Sequence, residues 1–133
     1  PAFDDVAAWV PRPDVWRARL AEAEAQTPAT FTNNAWTVGA LEAAWSAIVH
    51  TPRGAAAGPS EPVVAALTTA IRIGHDTDTV AAIAGALLGA RWGTGALPER
   101  WTRMVHGWPG LDWPGLRALA ERVVAKGVER RGA

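Results

Sequence analysis

The sequence contains no cysteine and no tyrosine. The absence of cysteine excludes disulfide bonds and thiol nucleophiles and is compatible with a reducing compartment. The cytoplasm is therefore the default location that this composition predicts.

The aromatic residues are mostly tryptophan, eight in all. Trp16, Trp45 and Trp101 fall on helical faces that favour packing, whereas the role of Trp36 stays open, because a tryptophan beside a cleft could also stack on adenine.

An excess of charge of one sign is also missing, since 13 Lys and Arg balance 13 Asp and Glu. Proteins that bind nucleic acid nonspecifically carry clustered positive charge, so this function is disfavoured. The longest apolar run, residues 77–90, is interrupted by glycines. It is shorter than the ~20 residues that a bilayer-spanning helix needs, so we expect no membrane span.

The remaining composition is that of a globular protein, with 49% hydrophobic and 20% charged residues. Apolar residues recur with the helical period throughout, and no alternating pattern indicates strands. We predict an all-α fold, an orthogonal bundle of about six helices within one domain over residues 1–133. Because the chain begins at Pro1 rather than Met, we interpret it as a piece of a longer polypeptide.

Caps and prolines predict where the helices begin. The predicted starts are Pro13, the caps Asn33 and Asn34, the cap Ser60, the segment 76–79, Pro98 and the cap Asp112, with the last helix ending at Gly127. The residues predicted to face the core are Trp16, Leu20 and Ala23, then Val38, Leu41, Trp45 and Ile48, then Val63, Leu67 and Ile71, then Val80, Ile83, Ala84, Leu87 and Leu88, and finally Leu116, Leu119, Ala120, Val123 and Val124.

The fourth predicted helix carries small residues every four positions, at Ala81, Gly85 and Gly89. A glycine costs roughly 1 kcal/mol relative to alanine inside a helix. Two of them on one ridge predict that another backbone passes very close, and therefore that this helix is central.

The most informative segment is GHDTDT, residues 74–79, which runs directly into the fourth helix. Asp76, Asp78 and Thr79 offer the hard oxygen donors that Mg²⁺ and Mn²⁺ prefer. An octahedral cation needs about six oxygen ligands, so other groups must complete such a site. The alternative is helix capping, because Asp and Thr are favoured caps and an acidic first turn complements the helix dipole.

This segment resembles the carboxy-terminal signature of the ADP-ribosylglycohydrolase family. The resemblance is densest over residues 74–93 and extends to NNAW at 33–36, ALEAAW at 40–45 and LPERW at 97–101. It implies an all-α hydrolase that removes ADP-ribose from an acceptor, with this chain as the carboxy-terminal part of the domain.

The resemblance also implies that Asp76, Asp78 and Thr79 are ligands of a two-metal Mg²⁺ or Mn²⁺ centre. In the family an amino-terminal Thr-Asp-Asp motif supplies the remaining ligands, and the residue that acts as acid or base lies in the same half. The chain contains no Thr-Asp-Asp, and its adjacent acidic pair at residues 4–5 follows Phe3. The missing amino-terminal half is therefore an expected partner within the same domain, and metal binding by this chain alone is expected to be weak.

Asn33 and Asn34 are candidate substrate-binding residues, because helix N–H groups at this position would point outward and the resemblance places them near the cleft. The alternative is capping. The sequence leaves the acceptor open among arginine, serine, a nucleic-acid base, a polymer end and a small ester. A second functional hypothesis is a non-catalytic helical module that packs against a partner. An uncovered apolar face would instead favour self-association, because large apolar patches seldom stay in water.

Overall fold

A computed structural model describes residues 7–52 and 60–131, with side chains up to residue 130. The predicted acidic pair at residues 4–5 lies outside this part. The described helices are α1 Pro13–Ala25, α2 Thr37–His50, α3 Glu61–Arg72, α4 Thr77–Trp92, α5 Glu99–Thr102 and α6 Trp113–Arg131. Two short strands, β1 His106–Gly107 and β2 Leu111–Asp112, and three single 3-10 turns complete this part. The predicted all-α class and its six helices are confirmed.

The chain divides into two compact units, Pro1–Ala96 and Leu97–Ala133. In the first unit, α2 is central, because it packs against α1, α3 and α4, while α3 also packs against α4. The prediction that α4 is the central helix is therefore wrong. The buried core is built mainly of alanines, which allow close approach of helices: Ala23, Ala40, Ala43, Ala44, Ala47, Ala70 and Ala84, with Phe31 and Val80.

The glycines of α4 do not mark a close backbone contact. A Cβ added at Gly85 would lie 3.8 Å from Cδ2 of Leu67, an ordinary contact, and one at Gly89 would meet nothing within 4 Å. The prediction of a second backbone at this ridge is wrong. The spacing in the sequence identifies a row of small residues on α4, but it does not identify the groups that pack against them.

The buried stripes on α3 and α4 confirm part of the predicted core, since Leu67 and Ile83 are only partly buried. Val63, Ala66 and Ala70 are buried on α3, and Val80, Ala84 and Leu88 are buried on α4. Two predictions are wrong, since Ile71 is 54% exposed and Leu87 is 39% exposed. Each directly adjoins a stripe residue in sequence and so lies about 100° away from it around the helix, on its flank.

The second unit contains α5, the β1–β2 hairpin and α6. The strands are antiparallel with His106 opposite Asp112, and the turn between them contains a cis bond before Pro109 and Gly110 at φ 117°. The sequence pattern predicted no strands, so this hairpin was not expected. The Asp112 cap is confirmed, because its Oδ1 accepts a hydrogen bond from the Gly115 amide at 3.0 Å.

Helix α6 differs from the prediction in length and in the burial of its apolar face. It continues through Gly127 to Arg131. Four of the five residues predicted to face inward are exposed, with Leu119 at 40%, Val123 at 64% and Val124 at 65% exposure, and Ala120 exposed as well, whereas Leu116 is half-buried. Among the described residues, no helix has both the length and the apolar character to cross a membrane.

Candidate metal site and its supporting turn

The acidic segment forms the turn between α3 and α4. Gly74 donates its N–H to Ile71 O at 3.1 Å at the end of α3, and Val80 donates to Asp76 O at 3.2 Å at the start of α4. Between these points the backbone is left-handed at Gly74, with φ 84°, and at His75, with φ 61°. A left-handed conformation is costly for a residue with a Cβ, so the turn needs outside support at His75.

The candidate ligands differ in their exposure. Asp78 and Thr79 are exposed, whereas Asp76 and Thr77 are half-buried. Asp76 occupies the N-cap position of α4, but its side chain makes no capping hydrogen bond. The capping alternative therefore does not account for Asp76.

Hydrogen bonds favour the ionised form of Asp78. The side-chain hydrogen bond with Asp76, followed by the backbone amides of Asp78 and Thr79, lowers the pKa of Asp78 below its ordinary value of 3.8. A fixed negative charge at this position outweighs the partial positive charge of the helix N-terminus, which alone would repel a cation. Because these amides lie in the first turn of α4, the bonds also agree with the capping alternative for Asp78, while its carboxylate has the chemistry of a ligand for a hard divalent ion.

Asn34 supports the turn from inside. It is completely buried, its Nδ2 donates to Gly74 O at 3.1 Å, and its Oδ1 accepts from the Asp76 amide at 3.0 Å. The expectation that Asn33 and Asn34 cap α2 is wrong, because Trp36 occupies the N-cap position and no side chain caps this helix. We call the two hydrogen bonds of the Asn34 amide, to Gly74 O and from the Asp76 amide, the Asn34 bridge.

Gly39 on α2 allows the segment that carries Asn34 to pack closely against this helix. A Cβ at this position would overlap the carbonyl oxygen of Asn33, so the backbone of residues 33–34 lies directly against α2. Sequence reasoning missed both Gly39 and the Asn34 bridge. No local pattern signals them, because the Asn34 bridge joins residues about forty positions apart.

Asn33 faces a shallow pocket of about 240 Å³ between α1 and the start of α2. Its walls include Arg19, which pairs with the buried Glu42 at 3.3 Å and with Glu22 at 3.7 Å. The Arg19 guanidinium lies 5.9 Å from the centroid of the half-exposed Trp36 ring. The charges in this pocket are thus paired with one another, while one tryptophan ring remains accessible.

The ligand set at the turn is partial. Within residues 7–52 and 60–131, no group of three or more His, Cys, Asp or Glu side chains is placed to hold a metal ion. Asp76, Asp78 and Thr79 supply two carboxylates and one hydroxyl. A site for an octahedral ion therefore requires donors beyond these three.

The model of one protein family, described as ADP-ribosylglycohydrolase, matches residues 1–133. No curated protein and no solved structure matches the chain significantly. The family match thus covers both units, including the turn at the start of α4.

Proposed function

Since the chain belongs to the ADP-ribosylglycohydrolase family, we propose that it takes part in hydrolysing the glycosidic bond between ADP-ribose and an acceptor. In this reaction the oxygen of water forms a bond to the anomeric carbon of the ribose. The bond from that carbon to the acceptor breaks, and the acceptor takes up a proton. The family match supports this proposal, and the oxygen-rich turn is the location that we propose for the reaction.

Asp76, Asp78 and Thr79 would hold Mg²⁺ or Mn²⁺. Their chemistry fits, because two carboxylates and a hydroxyl are hard donors. Bound there, such an ion supplies positive charge that can orient ribose hydroxyls and stabilise charge in the transition state.

The charge balance limits what this chain does alone. Two divalent ions carry four positive charges, and the carboxylates of Asp76 and Asp78 offset two of them. We infer that further acidic donors, and the group that activates water, come from a segment outside the described residues. The isolated chain should then bind metal weakly.

The side chains of the turn have separate tasks in this proposal. The hydrogen bond with Asp76 lowers the pKa of Asp78, so its carboxylate stays ionised to a lower pH than that of an ordinary aspartate. Thr79 is exposed and offers its hydroxyl oxygen on the first turn of α4. Asn33, at the edge of the pocket, is the better placed of the two predicted substrate-binding asparagines. Asn34 is buried, and both the donor and the acceptor of its amide are hydrogen-bonded to the turn. Any contribution of Asn34 to binding is therefore indirect and acts through the backbone of the turn.

The test is an Asp78→Asn variant of the intact protein. Because the amide removes a negative ligand, Mn²⁺ affinity and hydrolysis of ADP-ribosylated arginine and serine peptides should each fall at least about 100-fold. Asp14→Asn is the matched control, since the side chain of Asp14 is 97% exposed near the start of α1. The control should retain both properties. Wild-type Mn²⁺ affinity in the Asp78 variant would reject the metal assignment.

A further inference from the structure

The side chain of Asn34 is completely buried. Burying an amide costs several kcal/mol unless its donor and acceptor are both satisfied. At Asn34 both are satisfied, and both partners belong to the turn before α4. The buried amide is thus directed at the turn.

The two partners flank the strained position. Nδ2 bonds the carbonyl of Gly74, and Oδ1 bonds the amide of Asp76, so His75 is held between them. The left-handed φ of 61° at His75 is unfavourable by roughly 1–2 kcal/mol for an L residue. Two hydrogen bonds of ordinary strength are sufficient to hold it.

The Asn34 bridge also determines the position of Asp76, the N-cap residue at the start of α4. The same residue that donates its amide to Asn34 carries one candidate ligand, and its carbonyl accepts the Val80 amide at 3.2 Å in the first helical hydrogen bond. A shift of the Asp76 backbone would therefore move the Asp76 carboxylate and change its position relative to Asp78.

We propose that Asn34 is a positioning residue, whose buried amide fixes the Gly74–Asp76 backbone and thereby the spacing of the Asp76 and Asp78 carboxylates. This inference rests on the proposed function of the turn as a metal site. Asn34 touches neither metal nor substrate in this scheme. It acts through the backbone of Asp76, as groups behind metal ligands commonly do.

The experiment compares Asn34→Ala with Ser46→Ala in the intact protein. Ser46 is the matched control, because it is also completely buried and donates one hydrogen bond, to Gln26 O at 2.8 Å, away from the turn. Both variants should lower Tm. Mn²⁺ affinity should fall 10–100-fold in Asn34→Ala, in the range seen for outer groups of metal sites, and stay within about twofold of wild type in Ser46→Ala.

A second readout does not depend on metal. Hydrogen exchange of the Asp76 amide should accelerate at least tenfold in Asn34→Ala relative to Ser46→Ala, because the amide loses its acceptor. If Asn34→Ala does not fold, Asn34→Ser replaces it. Its hydroxyl is too short to span both partners, and an intermediate loss of Mn²⁺ affinity is expected.

The outcomes separate the two proposals. Suppose that the Asp78 variant loses Mn²⁺ binding, while a folded Asn34 variant keeps wild-type Mn²⁺ affinity and wild-type hydrogen exchange of the Asp76 amide. This result overturns the positioning role alone. Absence of Mn²⁺ binding by the wild-type intact protein, or wild-type binding by the Asp78 variant, overturns the metal site and the positioning role together.

Discussion

Gly39 supports the turn indirectly, because the absence of a Cβ lets the backbone of residues 33–34 pack against α2. In Gly39→Ala the new Cβ would overlap the Asn33 carbonyl oxygen, and backbone rather than a flexible side chain must move. We expect a loss of about 1–3 kcal/mol of unfolding free energy, measured by urea denaturation. Gly89→Ala is the control, since nothing lies within 4 Å of its Cβ, and it should gain roughly 1 kcal/mol. Equal stability of the two variants would contradict the close contact.

A second prediction at the residue scale concerns the protonation of Asp78. The hydrogen bond with Asp76 is the main cause of its lowered pKa, so Asp76→Ala should raise that pKa toward 3.8, as measured by carbon NMR of the carboxyl group. Because the folded pKa is lowered, the stabilisation by Asp78 is present above the unfolded pKa and is lost as pH falls through the folded value. Asp14→Ala should leave the titration of Asp78 unchanged.

The sequence identifies the oxygen donors of the turn but not the contacts that support them. Asp76, Asp78 and Thr79 stand out because their side-chain oxygens are adjacent in the chain. Asn34 was assigned a local cap, since asparagine commonly caps helices, but its amide bonds a turn 40 residues later. Only the folded arrangement of α2, α3 and α4 brings these groups together, and periodicity does not contain that information.

At the scale of the element, α4 offers a test of which face supports the fold. Leu88 is 4% exposed and Leu87 is 39% exposed, although they are neighbours. Leu88→Ala should cost about 2–5 kcal/mol, because it leaves a cavity, and Leu87→Ala should cost about half as much or less. Urea midpoints of the two variants provide the measurement. A larger effect at Leu87 would show that the packed face is wrongly assigned.

Two helix starts were predictable from local signals. Proline at the start of α1 and the Asp112 cap of α6 act within a few residues, and both predictions are confirmed. Helix faces were less predictable. The pattern on α6 identifies an apolar stripe, but whether Val123 and Val124 are covered depends on elements that the stripe itself does not specify.

At the scale of the whole molecule, the exposed stripe of α6 predicts concentration-dependent self-association of this chain. Val124 and Val128 are 65% and 67% exposed on successive turns, and apolar surface of this kind favours association. Val124→Lys should lower the weight-average mass in sedimentation experiments. Glu129→Lys, at an exposed polar position, is the control and should not. A wild-type chain that stays monomeric at all concentrations would disprove this expectation.

The alanine-rich centre of the first unit has a consequence for how this protein tolerates change. Alanine has no rotamers to lose on folding, so Ala43, Ala44 and Ala47 on α2 are buried without side-chain entropy loss. Each also contributes little apolar area, and truncation at these sites removes a single methyl group. Enlargement is the greater hazard, because an added branch has no void to enter and forces the helices apart.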